Sequence, residues 1–382
     1  MKRLETRPVM VKDIQIGGQN RIIIQSMTNT KTKDVDATVN QIKTLAGNGC
    51  EIVRLAVLDE EDANAIAEIV KQVNIPLVAD IHFNYRLALL AVQNGIHKIR
   101  LNPGNIKNPE HIKEVVEACK AKHIPIRIGI NSGSIEKDIL KKYGKPCVEA
   151  MIESAQYHVN ILNENGFEDI VLSFKSSEVP LTIAVYQKAA EVFPYPLHLG
   201  VTEAGAMLSA AIKSSAALGT LIHLGIGDTM RISVSDDPAE ELKIAKQLLK
   251  NFDLYDKVAN LIACPTCGRI QYDMLPIVKE MEKYLDELNE DITVAIMGCA
   301  VNGPQEASRA DIGVAGGHKE ALLFKKGVYV RSVPQERIVE ELKAEIQYMI
   351  KNKDQSLSLF DSERFSICLS FDLSLCCSLM LF

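Results

Sequence analysis

Three cysteines and a glutamate in the last third of the chain have the types and spacing of a soft-metal site. Cys264-Pro-Thr-Cys267 puts two thiols on one turn, and Met297-Gly-Cys299-Ala-Val-Asn-Gly-Pro-Gln-Glu306 supplies a third thiol and a carboxylate. Gly298, Gly303 and Pro304 let this second stretch bend close to a bulky inorganic group. Free cysteine is also a common core residue. Each of these turns, however, follows an apolar run, Leu261-Ile-Ala263 or Val294-Ala-Ile-Met297, and ligands belong in a Gly/Pro turn at a strand end. Zinc would need a fourth ligand, for which His318 is the nearest imidazole downstream, whereas a cubane iron–sulfur cluster takes three or four thiolates. Proline directly after Cys264 and after Gly303 leans towards the cluster. With only three thiolates, Glu306 would be a harder, weaker ligand to the remaining iron.

A second set of residues asks for an anion. Arg54, Arg100, Arg127 and Arg231 each sit between apolar neighbours in strand-like runs. Burying a guanidinium is costly unless it meets an anion. Asp80 and Glu203 could pair with two of them, which leaves positive charge over, and planar forks suit phosphate oxygens. An anionic, phosphorylated ligand is expected. Polar residues recur at the same level: Asp80 and His82, Asn102 and Asn105, Asn131, Lys175, Thr202 and Glu203, Ser233 and Ser235. Singly each has an ordinary reading, a turn asparagine or a satisfied core histidine. At one strand end after another they line a pocket. Glu203 is the candidate acid, because a carboxylate in a partly desolvated cleft holds its proton near neutral pH.

These residues need a frame. Val9 to Ile16, then Gly17-Gly18, then Arg21 to Met27 reads as a hairpin leading into a buried strand. From there apolar runs alternate with amphipathic stretches. With Ile22 to Ser26 the strands are read at 51–55, 76–81, 98–101, 125–130, 169–174, 196–201 and 220–224, eight in all. Helices are read at 34–48, 59–73, 84–94, 109–122, 146–165, 177–192 and 204–218. Eight such units predict an α/β fold, a TIM (β/α)8 barrel over 1–254 whose ligand site lies at the C-terminal ends of its strands. A helix capped by Asp236-Asp237-Pro238-Ala-Glu-Glu closes it. Residues 255–352 read as a small α+β metal domain, with a hairpin turn at Lys326-Gly327 and a final helix from Pro334 to Ile350.

The chain has 382 residues, 47% hydrophobic and 24% charged, no Trp and a net charge of −6, which excludes a nucleic-acid footprint. Met1-Lys-Arg-Leu-Glu-Thr-Arg-Pro lacks an apolar core, so no targeting segment is readable, and Cys50, Cys119 and Cys147 are scattered singly, as in a reducing, cytoplasmic compartment.

Six stretches in order, Gln25-Ser-Met-Thr-Asn-Thr, Ala79-Asp-Ile-His-Phe, Arg100-Leu-Asn-Pro-Gly-Asn, Leu199-Gly-Val-Thr-Glu-Ala-Gly, Ala263-Cys-Pro-Thr-Cys-Gly-Arg and Met297-Gly-Cys-Ala-Val-Asn-Gly-Pro-Gln-Glu, resemble the family of 4-hydroxy-3-methylbut-2-enyl diphosphate synthases over residues 1 to 350. The resemblance implies a [4Fe-4S] cluster on Cys264, Cys267, Cys299 and Glu306. It implies the substrate 2-C-methyl-D-erythritol 2,4-cyclodiphosphate, opened by two electrons with loss of water in isoprenoid precursor synthesis. It places the diphosphate on Arg54, Arg100, Arg127, Asn131, Lys175, Arg231 and Ser233, with Asp80, His82 and Glu203 near the carbon chain and Glu203 the proton donor. Flavodoxin or ferredoxin is the implied electron donor. The implied assembly is a homodimer in which one chain's cluster domain covers the other's barrel.

The tail, 353–382, departs from the family. Asp372 at the centre of its apolar stretch would cost about 2.5 to 3.5 kcal/mol in a membrane, so a disordered extension is expected rather than an anchor, and Cys368, Cys376 and Cys377 are not ligands. Two other functions compete: a non-redox barrel on a phosphorylated or pterin-like substrate with structural zinc, and a cluster carrier whose barrel merely binds.

Overall fold

The structure, a computed structural model, describes residues 2–352 except Phe83, Ala300, Asn302 and His318. The tail 353–382, with its three cysteines, and the zinc-ligand alternative His318 lie outside the described residues. The chain divides into two compact units, Met1–Tyr255 and Asp256–Phe382.

The first unit opens with a hairpin, β1 (Val9–Val11) and β2 (Ile14–Ile16), which turns at Lys12, held at φ +56°. Gly17 and Gly18 lead the chain on to the barrel strands. These are β3 (Ile23–Met27), β4 (Ile52–Ala56), β5 (Leu77–Asp80), β6 (Lys98–Arg100), β7 (Ile126–Asn131), β8 (Ile170–Lys175), β9 (His198–Leu199) and β10 (Thr229–Met230). All pair in parallel in the order β8-β7-β6-β5-β4-β3-β10-β9, and a parallel bridge between Leu172 and Leu197 links β8 to the approach of β9. This is a TIM barrel.

Among the described residues nine α-helices accompany it: α1 (Val35–Gly47), α2 (Glu60–Gln72), α3 (Tyr85–Gln93), α4 (Pro109–Ala121), α5 (Lys137–Tyr143), α6 (Val148–Glu164), α7 (Val179–Val192), α8 (Met207–His223) and α9 (Pro238–Lys250). Asp34, Asp59, Asn84, Asn108 and Asp237 cap five of them, each side chain accepting a first-turn backbone N–H. One strand reading is corrected. The run 220–224 belongs to the end of α8, whose buried residues Ala210, Ser214, Ala217, Leu218, Leu221 and Ile222 keep a helical period through Gly219. The eighth strand is Thr229–Met230.

Strand alternation sorts the barrel residues into two faces. Ile24, Val53, Leu55, Ala79, Ile99, Ile126, Ile128, Leu172 and Phe174 join the main apolar core with the helices. Ile23, Ile52 and Val78 instead meet Val11 and Ile16 of the hairpin, an apolar plug at the N-terminal end of the barrel. Above that plug the same inward face carries Gln25, Arg54, Asp80, Lys98, Arg100, Arg127, His198 and Thr229, all buried. The usual filling of such a barrel is branched aliphatic side chains. Here it is polar.

The described residues of the second unit form a five-stranded sheet in the order β11 (Asn260–Ala263), β12 (Thr293–Met297), β13 (Ile312–Gly317), β14 (Glu320–Lys325), β15 (Val328–Pro334), the first three parallel and the rest antiparallel. It carries α10 (Met274–Asp286), α11 (Gly303–Ala307) and a helix, α12, over 338–352. Met281, Leu285, Val294, Ile296, Val314, Leu323, Leu342 and Ile346 form its separate core. No helix among the described residues is long and apolar enough to cross a membrane.

Candidate active site

Strands β4 to β8 present their inward side chains at the C-terminal mouth of the barrel. Arg54, Asp80, His82, Arg100, Arg127, Asn131, Lys175 and Thr202 line one cavity there with Gly129 and Ser173. Asp80 Oδ2 lies 3.5 Å from Arg54 Nε, and its Oδ1 lies 3.5 Å from Arg100 Nη1, so one carboxylate stands between two guanidiniums. Burial pushes the Asp80 pKa up, but Arg54, Arg100 and Arg127 outweigh it and hold the carboxyl below its ordinary value.

Arg100 Nη1 is 2.8 Å from His82 Nδ1, which fixes that nitrogen as the acceptor. Partial burial lowers the His82 pKa, with Asp80 opposing and Arg100 and Arg54 reinforcing, in keeping with a neutral ring. Arg100 can cross the barrel because position 129 has no side chain. A Cβ there would lie 3.1 Å from Arg100 Nε and 3.2 Å from Ser173 Oγ. Asn102 donates to and accepts from the Gly129 backbone at 2.9 Å, and Asn105 donates to the His82 carbonyl at 3.3 Å, so both asparagines serve the scaffold.

Arg127 is 1% exposed, and its Nε and Nη1 have no hydrogen-bond acceptor among the described residues. Burial presses against its charge, Arg54 and Arg100 add to that pressure and Asp80 opposes it. A guanidinium keeps its proton in proteins, so the unmet demand is for an anion. Desolvation lowers the Lys175 pKa well below its ordinary value, with Arg54, Arg127 and Arg231 acting in the same direction.

Arg231 differs from the others. It forks onto Glu241, with Nη2–Oε1 at 2.8 Å and Nε–Oε2 at 3.1 Å, and Ser26 Oγ donates to the same carboxylate at 2.8 Å. Sequence reasoning took Glu241 for part of a helix cap and missed this pair. It also missed Ser173, although its place two residues before Lys175 was a readable signal. Met27 was not singled out either: its thioether sulfur accepts from Arg54 Nε at 3.1 Å and Nη2 at 3.0 Å.

Asn131 and Ser233 are half-buried. Glu203 is exposed and pairs with no arginine among the described residues, so the desolvation expected to hold its proton is not supplied by the barrel. Its backbone does stand in the left-handed region at φ +52°, strain that proteins concentrate at functional positions.

In the second unit, parallel β11 and β12 end side by side. Ala263 is in register with Ile296, and Cys264 N donates to the Ile296 carbonyl at 3.3 Å. The next residue of the neighbouring turn, Gly298, donates its N–H to Cys264 Sγ at 3.2 Å, and a Cβ on it would lie 2.8 Å from Met274 Sδ. Cys299 is half-buried, Cys267 exposed, and Glu306 exposed on α11. The Arg269 backbone N–H and then its side chain hold the Cys267 thiol below its ordinary pKa. Among the described residues no three His, Cys, Asp or Glu side chains are gathered closely enough to hold a metal ion. The expected ligands thus stand on adjoining turns without forming a closed shell. Their donor set, three thiols with a backbone N–H aimed at one sulfur, fits an iron–sulfur cluster, whose sulfurs take such hydrogen bonds.

Known proteins share this layout. The GcpE TIM-barrel domain family matches residues 6–246 and the GcpE protein C-terminal domain family residues 260–348. A Macrococcus caseolyticus protein named 4-hydroxy-3-methylbut-2-en-1-yl diphosphate synthase (flavodoxin) is 56% identical over 95% of this chain and 98% of its own. The Bacillus cytotoxicus protein of the same name is 57% identical over 90% of this chain and 94% of its own. Among solved structures, 7,8-dihydropteroate synthase from Vibrio fischeri aligns at a TM-score of 0.45 and 14% identity over 65% of this chain and 98% of that one, too slight a likeness to bear on function. The chain belongs to the GcpE family, as both domain matches and the extent of identity with its relatives require.

Proposed function

We propose that this protein is a 4-hydroxy-3-methylbut-2-enyl diphosphate synthase. It opens the ring of 2-C-methyl-D-erythritol 2,4-cyclodiphosphate with two electrons and loss of water, in the supply of isoprenoid precursors. The observation that carries the reading is the cationic mouth of the barrel: Arg54, Arg100, Arg127 and Lys175 surround one carboxylate, Asp80. A non-redox barrel with structural zinc gains no support from the relatives.

In this reading the barrel, 1–254, binds and 255–352 is the cluster domain. Arg127, with acceptor-less N–H groups, takes diphosphate oxygens directly, joined by Arg54, Arg100, Lys175, Arg231, Asn131 and Ser233. Asp80 keeps the Arg54 and Arg100 forks apart and oriented. His82, accepting from Arg100, presents its other nitrogen as a donor near the carbon chain. Glu203 is the proton donor to the departing oxygen, and covering the barrel mouth would supply its missing desolvation. Cys264, Cys267, Cys299 and Glu306 would hold a [4Fe-4S] cluster, which when bound supplies electrons one at a time. Flavodoxin, which the relatives' names carry, is the proposed donor, and the proposed working form is a cytoplasmic homodimer.

The test is anaerobic: iron and sulfide analysis, then turnover of the cyclic diphosphate with a one-electron reductant. Arg127→Met should keep iron and lose substrate binding, and Cys264→Ser should keep binding and lose iron. A colourless, zinc-bearing protein without turnover would sink the reading.

A further inference from the structure

Among the described residues, one basic group on the inward face of the barrel lies outside the diphosphate clamp. Lys98 lies on β6, two residues before Arg100 and so on the same face, and is 0% exposed. Its Nζ has no hydrogen-bond partner among the described residues. We propose that Lys98 is a positioning residue for the anion pocket: it stands uncharged beneath the empty mouth and takes up one proton when a diphosphate enters.

The charge count of the interior drives the argument. Lys98, Arg54, Arg100, Arg127, Lys175 and Arg231 meet two carboxylates, Asp80 and Glu241. Asp80 is committed to Arg54 and Arg100, and Glu241 to Arg231. Among the described residues, the other buried polar groups on this inward face are uncharged and give Lys98 no counter-ion. Gln25 on β3 is an amide, Thr229 on β10 a hydroxyl, and His198 on β9 a fully buried imidazole whose Nδ1 lies 2.6 Å from Thr229 Oγ1. Burial first, and then the Arg127 charge, lower the His198 pKa well below its ordinary value, in keeping with a neutral ring.

Arginine cannot relieve such crowding by losing its proton, whereas a buried lysine can. Burial lowers the Lys98 pKa well below its ordinary value, and the Arg127 and Arg54 charges lower it further. An incoming diphosphate reverses the local sign of charge and favours the ammonium. The barrel thereby gains a positive charge under the ligand without holding that charge, unpaired, while empty. The benefit is greatest for a highly charged anion, so Lys98 would also favour diphosphate over monophosphate.

This inference rests on the anion-pocket reading, and inorganic pyrophosphate separates the two. The full-length, cluster-loaded protein is titrated with pyrophosphate by calorimetry, near neutral pH, in buffers of different ionisation enthalpy. The expected result is uptake of about one proton per ligand, lost in Lys98→Arg, which keeps a fixed charge, and in Lys98→Gln, which also binds more weakly. Affinity of the parent should fall as pH rises, and this limb should vanish in Lys98→Arg, a change that a purely structural role would not produce. Binding by the parent without proton uptake overturns the proposal, even if neither variant folds. Uptake undiminished in Lys98→Arg also overturns it and moves the proton to Lys175. A parent that does not bind pyrophosphate refutes the anion pocket and this inference together.

Discussion

Arg127 and Arg231 carry the same group on or beside barrel strands under opposite electrostatic conditions. Arg127 has buried N–H groups without acceptors, whereas Arg231 is forked onto a buried glutamate. Replacing an unpaired buried charge by an apolar side chain removes a cost, but removing one partner of a buried pair strands the other. Arg127→Met should therefore leave the thermal midpoint unchanged or raised while weakening diphosphate binding by about 2–5 kcal/mol. Arg231→Met should lower stability by about 3–5 kcal/mol through stranded Glu241, and Arg231→Met with Glu241→Leu should recover much of it. Thermal melts of the three variants decide this. Equal losses from both single arginine variants would show that Arg127 has an internal partner. At the other site, a carboxylate ligand should be more labile than a thiolate. Glu306→Ala should lose iron faster in air than the parent, and Glu306→Cys should retain it longer while turning over more slowly. Iron and sulfide contents followed against time would show Glu306 to be a bystander if all three proteins decayed alike.

At the scale of elements, β7 shows how a strand makes room for chemistry. Its residues alternate Ile126, Ile128 and Ile130 towards the helices against Arg127, Gly129 and Asn131 towards the cavity. Gly129 is the position over which the Arg100 guanidinium passes. In Gly129→Ala the new methyl would press on Arg100 Nε and Nη2 and on Ser173 Oγ, at 3.1, 3.3 and 3.2 Å. Overpacking of this kind costs about 1–3 kcal/mol, and here a mobile side chain yields before the strand does. Affinity for pyrophosphate should thus fall more than stability. A lowered melting point with unchanged affinity would show that the strand moves instead. The same strand explains what was legible in sequence. Arg127 and Asn131 stood out as polar residues in an apolar run, while Gly129, without side-chain chemistry, gave no signal. Seven strands were readable because their apolar runs ended in turn residues. The eighth was misplaced because the run 220–224 that imitates a strand is the buried stripe of α8, whereas Thr229–Met230 has no long apolar run around it. Helix α10 went unread beside the cysteines, although Met274, Ile277, Met281 and Leu285 hold its buried face. Glu241 could not have been placed by any local pattern, since its partners Ser26 and Arg231 lie 215 and 10 residues away.

Among the described residues each unit has its own main core, and the two should depend differently on what the protein binds. One runs from Ile22 to Leu249 and buries the barrel wall against its helices, and the other runs from Ala259 to Ile346 around the second sheet. They share no residue. Each candidate ligand set is also confined to one unit, the cations to the barrel and the thiols to the second sheet. Binding stabilises the unit that holds the ligand, so the two ligands should act on separate transitions. Pyrophosphate at about 100 times its Kd adds roughly 2.7 kcal/mol, which for a domain of the barrel's size is a rise of roughly 2–4 °C for each kcal/mol. Chelating the cluster anaerobically should lower the melting of the second unit alone, because metal-binding energy is folding energy where a site closes around its metal. Differential scanning calorimetry of the full chain would then show two endotherms, one moved by pyrophosphate and the other by loss of iron. A single endotherm moved as a whole by either treatment would mean that the two cores unfold as one. The two units would then be thermodynamically coupled, and pyrophosphate would have to slow the loss of iron.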